Sequence, residues 1–221
     1  MTLALLHTTP LPIAVFAELC AKHLAGTGIF HMVDESLLKN TIASGRLEPG
    51  VIRRVVRHIE SAREGGADAV LVTCSSIGQA ATVAQQMFDF PVIRVDTAMA
   101  EEAAGMGGRI GVLATLRTTL APTVELLRET ALRAGREAMV EAHLCEGAFE
   151  AVSRGDGESH DRMVREGLLG LLGRCDVVVL AQASMARIVG QIEESARTKP
   201  ILSSPELAVL AAKRALANQS R

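Results

Sequence analysis

The feature that most constrains this chain is that it resembles itself. Shifted by 108 residues along its own 221, the segment Asp68–Ile77 falls on Asp176–Met185, with an apolar run followed by small polar residues in each. The same shift lays Leu3–His7 on Gly111–Thr115 and Gly65 on Gly173, and one further residue brings Pro91-Val92-Ile93 onto Pro200-Ile201-Leu202. Several segments agreeing on nearly one offset predict two structurally similar halves rather than one continuous sheet.

Each half alternates strands with helices. Thr2–Leu6, Ala69–Thr73, Val92–Val95, Ile110–Ala114 and Val177–Leu180 read as strands buried on both faces of a parallel sheet. Ile29–Val33, Ala138–Leu144 and Ile201–Leu202 are weaker candidates. Pro12 and Pro49 open helices, Pro122 sits in the first turns of another, and Gly65-Gly66, Gly135 and Gly173 end three. The pattern predicts an α/β protein with parallel strands, divided into 1–97 plus 203–221 and 98–202.

Composition removes several classes of partner. With 23 Lys plus Arg against 25 Asp plus Glu, no Trp and no Tyr, the chain has neither the basic field nor the stacking rings that nucleic acid requires. The uncharged start, Met1–Ala17, lacks a basic flank and carries Pro10 and Pro12, so it reads as a strand and turn rather than a signal peptide. The longest uncharged run, Ala69–Phe88, is too polar to cross a membrane. Cys20, Cys74, Cys145 and Cys175 show no CxxC spacing, which argues against disulfides and zinc. A cytoplasmic protein with free thiols is expected.

In parallel α/β sheets, ligands bind beyond the carboxyl ends of the strands. The repeat singles out four such ends, which deliver His7, Cys74, Thr115 and Gln182, followed by Ser75, Ser76 and Ser184. If the halves face each other, Cys74 and Gln182 approach one ligand from opposite sides. Cys74 precedes a helix expected from about Ile77 to Phe88, whose N-terminus lowers a thiol's pKa and favours the thiolate. The N–H and hydroxyl groups of Ser75 and Ser76 suit a carboxylate oxygen. His7 is the titratable candidate for acid–base work, against a structural role in which its ring fixes the loop Thr8–Leu11. Thr115 and Thr118 either hold a polar arm of the substrate or cap a helix, and Arg117 either pairs with a carboxylate or is solvated. The acidic stretch Asp156–Asp161 carries metal-ligand residue types but reads as a loop and helix start, and Arg53, Arg54, Arg57 and His58 read as the wet face of a helix.

The segments Ala69–Ser76 and Val177–Met185 resemble the two cysteine segments of the aspartate/glutamate racemase superfamily, which includes hydantoin racemases, maleate isomerases and arylmalonate decarboxylases. Ile110–Thr115 is similar to the strand that opens that family's other half, and the resemblance covers the whole chain. It implies two Rossmann-like halves related by a pseudo-twofold axis, an active site in the cleft between them, no metal or organic cofactor, a small carboxylate-bearing substrate and a homo-oligomer. Paired cysteines in the family act as base and acid on opposite faces of a carbon next to a carboxylate. Here Gln182 stands where the second cysteine falls, and a glutamine neither gives up nor takes a proton at ordinary pH. His7 stands where relatives often carry Asn or Asp. The expected enzyme is therefore a one-cysteine, racemase-like isomerase with Cys74 as base or nucleophile. Decarboxylase, tautomerase and lyase chemistry, and a non-catalytic carboxylate-binding relic, are the alternatives.

Overall fold

The computed structural model describes residues 1–219; the end of the expected first half, 220–221, lies outside them. Two compact units emerge, one formed by Met1–Ala98 with the chain from Pro205 onward, the other by Met99–Ser204.

The first unit contains β1 (Thr2–His7), α1 (Ile13–His23), β2 (Gly28–Val33), α2 (Glu35–Ser44), α3 (Pro49–Glu64), β3 (Ala69–Val72), α4 (Gly78–Gln85) and β4 (Val92–Arg94). After α5 (Thr97–Met106), the second continues with β5 (Gly108–Ala114), α6 (Arg117–Arg133), β6 (Ala138–Leu144), α7 (Ala148–Ser153), α8 (Gly157–Leu172), β7 (Val177–Leu180), α9 (Ala186–Val189) and β8 (Ile201–Ser203). α10 (Ser204–Gln219) returns to the first. All eight expected strands are present.

Each unit holds one parallel four-stranded sheet, ordered β2-β1-β3-β4 and β6-β5-β7-β8. The central strands are buried on both faces, which is why they read as unbroken apolar runs. Along β1, alternate residues serve two cores: Ala4 and Leu6 pack with Val55 and Ile59 of α3, while Leu3 and Leu5 pack with Phe16 of α1 and with Ala208, Val209 and Ala212 of α10. In the second unit Leu113, Val178 and Leu180 pack with Val164, Leu168 and Leu171 of α8. No helix among the described residues is long and apolar enough to cross a membrane.

Strand register refines the internal repeat. β3 pairs Val72 with Leu6, and β7 pairs Leu180 with Leu113. The backbone N–H of Thr73 donates to the Leu6 carbonyl, and that of Ala181 to the Leu113 carbonyl. Leu6 therefore corresponds to Leu113, so the first strands match at 107 residues, not 108. The counterpart of Thr115 is Thr8, not His7, and His7 corresponds to Ala114. A one-residue slip is easily missed in an aliphatic run, yet it exchanges the two faces of the strand.

Candidate active site

Cys74 follows β3 in extended conformation (φ −128°, ψ 118°) and opens a single 3-10 turn, Ser75–Ile77, before α4 begins at Gly78. The thiol is half-buried. The hydroxyls of Thr8 and Ser76 and the backbone N–H groups of Ser76 and Ile77 stand where they favour the charged sulfur, the Ile77 N–H also donating to the Cys74 carbonyl at 3.2 Å. Burial nevertheless pushes the thiol pKa up, and these hydrogen bonds oppose the rise without reversing it. The lowered pKa expected from a helix N-terminus is thus corrected. The intervening 3-10 turn separates Cys74 from the first turn of α4, and desolvation outweighs the remaining donors. Ser75 and Ser76 are buried at 5% and 3% exposure, and the Ser76 hydroxyl is among the groups that favour the charged sulfur.

The turn rests on a buried ion pair that the apolar reading of Val92–Val95 passed over. Arg94 Nε and Nη2 donate to Asp96 Oδ1 and Oδ2 at 2.6 and 3.1 Å, with both side chains buried. Gly78 makes room for this guanidinium: a Cβ there would clash with Arg94 Nε. The available signal was a charged residue at the buried end of an apolar strand.

His7 is wholly buried, and both its ring nitrogens are engaged. Nδ1 lies 2.8 Å from Thr73 Oγ1 and Nε2 lies 2.9 Å from His31 Nδ1, with the two imidazoles stacked at 5.1 Å between centroids. Burial, and then the neighbouring His31, lower its pKa to about 4. A neutral ring with no uncommitted nitrogen does not serve as the acid or base expected of His7. The residue that meets the thiol is the next one, Thr8.

In the second unit Gln182 takes the place of Cys74, with a similar backbone (φ −136°, ψ 140°) and a similar 3-10 turn, Ala183–Met185. Its Oε1 accepts from the Thr115 N–H at 2.7 Å and from the Thr115 hydroxyl at 3.0 Å, and its Nε2 donates to Thr115 Oγ1 at 2.8 Å. The two expected substrate contacts thus bind each other. Thr118 and Ser184 are half-buried close by in sequence. Arg117 instead carries an exposed side chain paired with Glu146 at 2.6 Å, so its expected role as carboxylate clamp is replaced by a surface ion pair.

The remaining polar clusters are structural. Asp34 caps α2 through the Ser36 N–H and hydroxyl and also takes Arg54 and His58 at 2.5 and 2.8 Å, so two residues of the expected wet face of α3 hold this cap. Serine and histidine hydrogen bonds and the Arg54 charge lower the Asp34 pKa to about 2 against the cost of burial. Asp156 caps α8, and the buried His160 bonds to Asp161. Among the described residues no group of three His, Cys, Asp or Glu side chains is placed to hold a metal.

Two repeated parallel α/β units, each ending its third strand in a polar turn, define a duplicated α/β protein of the class in which ligands bind beyond strand ends. The sequence model of the family described as Asp/Glu/Hydantoin racemase matches residues 12–212. The chain belongs to this Asp/Glu/hydantoin racemase family and is a racemase-like isomerase.

Solved structures agree on the fold. Allantoin racemase from Klebsiella pneumoniae is similar at TM-score 0.70 and 20% identity, covering 99% of this chain and 89% of that one. Picrophilus torridus aspartate racemase gives 0.72 and 14%, covering 98% and 94%. Glutamate racemase from Francisella tularensis, solved in complex with D-glutamate, gives 0.74 and 13%, covering 99% and 82%. No protein of curated function matches the sequence.

Proposed function

We propose that Cys74 transfers a proton at a carbon next to the carboxylate of a small substrate, without metal or organic cofactor. The observation that carries this reading is the place of Cys74 at the end of β3, opening a polar turn whose hydroxyl and N–H groups favour its charged form. An aliphatic core residue has no use for such company, whereas a thiol that must bear charge during a reaction does. As base, the thiolate takes the proton of the carbon acid, and the electron pair moves onto the substrate carboxylate as an enediolate. As acid, the thiol returns a proton to that carbon and is left as the stabilised thiolate. Preorganised donors lower the barrier where charge develops, and Thr115, Gln182 and Ser184 are the groups of the second unit suited to a carboxylate or carbonyl oxygen.

Gln182 makes this a one-thiol mechanism. A reaction that needs acid and base on opposite faces lacks its second titratable group, so proton transfer on one face is the expected course. The upward-shifted thiol also favours a second reading, a decarboxylase in which carbon dioxide leaves first and the resulting carbanion takes the Cys74 proton.

Proton NMR in D2O with amino acids, hydantoins, 2-substituted malonates, maleate and 2-oxo acids tests both readings, with Cys74→Ala as control. Cysteine-dependent deuterium uptake at the carbon beside the carboxylate supports proton transfer, and carbon dioxide release with label in the product supports the decarboxylase. Turnover fully retained in Cys74→Ala would remove the thiol from the chemistry. Binding shifts with no turnover anywhere in the panel would leave a carboxylate-binding relic.

A further inference from the structure

The strongest unexplained feature is the buried polar group beneath Cys74. The Thr73 hydroxyl lies 3.0 Å from the Leu6 carbonyl, which can only accept, so the hydroxyl donates there. Its oxygen is then the acceptor for His7 Nδ1–H. In the neutral ring this leaves Nε2 bare, and it accepts from His31 Nδ1–H. The chain thus runs in one direction, from His31 through His7 and Thr73 to the Leu6 carbonyl. This direction places the proton of both neutral histidines on Nδ1.

The second unit shows that the fold does not require it. By strand register His7 corresponds to Ala114, Thr73 to Ala181, and His31, which pairs one residue before Met32, to Ala142. Three alanines underlie the Thr115–Gln182 pair, while two histidines and a threonine underlie Thr8–Cys74. Both units nonetheless form the same sheet and the same turn. Burying the His7 imidazole, with that of His31 half-buried beside it, has a desolvation cost that a structural role met elsewhere by alanine does not justify. The position of the chain explains its use: His7 and Thr73 immediately precede Thr8 and Cys74, so their bond clamps the two strand ends one residue below the hydroxyl–sulfur contact.

We propose that His31 and His7 are positioning residues for Cys74, holding the Thr8 hydroxyl on the sulfur through Thr73 and the ends of β1 and β3. This rests on Cys74 being the reactive thiol, but its test needs no substrate. Long-range proton–nitrogen NMR of the wild-type protein at pH 7 is expected to show both rings neutral and protonated at Nδ1. The rate of Cys74 alkylation by iodoacetamide is then followed against pH by peptide mass spectrometry. His31→Leu removes the donor and is expected to slow alkylation at pH 8 at least threefold, with its midpoint moved to higher pH. His31→Asn places an amide N–H near the lost Nδ1 and is expected to restore the wild-type profile. A ring protonated at Nε2, or a His31→Leu protein with the wild-type alkylation profile, overturns the proposal, as does a His31→Asn protein no faster than His31→Leu. If His31→Leu does not fold, the wild-type tautomers still decide. Turnover retained in Cys74→Ala, beside the expected tautomers and alkylation shift, would overturn the catalytic reading and leave the positioning chain standing.

Discussion

The two strand-end turns of this protein share a backbone and differ in almost everything beneath it. Thr8 and Cys74 in one unit correspond to Thr115 and Gln182 in the other, and in each the threonine hydroxyl meets the residue that opens the 3-10 turn. Val72 pairs with Arg94 where Leu180 pairs with Ser203. Gly78, which makes way for that arginine, corresponds to Ala186, and no arginine stands at Ser203 to need the space. The turn is thus a product of parallel-sheet topology, available to aliphatic and polar underlays alike. The charged and imidazole support is an addition specific to the unit that carries the thiol.

The largest expected effect separates the two turn-opening residues. Cys74→Ala is expected to lower turnover by about 10³-fold or more, since it removes the only titratable group at either turn. Gln182→Ala, which removes hydrogen bonds but no proton-transfer group, is expected to cost about 10-fold, one hydrogen bond's worth of binding. Equal losses in the two variants, measured with whichever substrate the NMR panel yields, would erase the proposed asymmetry.

Stability distinguishes the supports. Gly78→Ala drives a methyl group into Arg94 and pulls the guanidinium from Asp96, leaving a buried carboxylate without its partner; the expected loss is about 3–5 kcal/mol in urea unfolding. The matched change Ala186→Gly is expected to cost only about 1 kcal/mol, the propensity difference in a helix. Near-equal losses would mean that the Arg94–Asp96 pair yields easily.

Acid tests the histidine chain, and its sign is set by the lowered pKa of His7. The unfolded chain takes up this proton near pH 6.5, while the folded protein resists it until about pH 4. Its contribution is complete above pH 6.5 and is lost as pH falls from 6.5 to 4, by up to about 3 kcal/mol. The triple change His7→Ala, His31→Ala, Thr73→Ala installs the residues of the second unit and is expected to flatten that slope. Asp34, lowered to about 2, loses its contribution in a separate window between pH 3.8 and 2, and the triple variant should keep that slope unchanged.

The sequence carried the strands because burial on both faces leaves an unbroken aliphatic signature, and it carried Cys74 because a thiol with two following serines is conspicuous at a strand end. It misled at His7. In Leu3-Ala4-Leu5-Leu6 every residue is aliphatic, so nothing local marks which of two adjacent residues faces the turn. The answer lies in hydrogen bonds from Thr73 and Ala181, more than sixty residues downstream of their acceptors. Thr8 was therefore hidden behind a more reactive neighbour. Arg94 and Asp96 stayed hidden for a related reason, since pairing occurs in space and the flanking Ile93 and Val95 mask the charge of Arg94. The sulfur's pKa was out of reach as well, because its sign depends on desolvation set by packing from several elements.

The smallest expected effect concerns Arg117, the cation that sequence alone placed nearest the chemistry. Its guanidinium is 79% exposed and its partner Glu146 is 72% exposed, so the pair is screened by water and contributes less than about 1 kcal/mol. Arg117→Ala is expected to leave KM within twofold of wild type and to shift stability by about 0.5 kcal/mol or less. A tenfold rise in KM with kcat unchanged would instead mean that the arginine leaves Glu146 to bind substrate. The second unit would then contribute a full charge to recognition, and the contrast with the first, where the Arg94–Asp96 pair beside the turn is buried, would have to be redrawn.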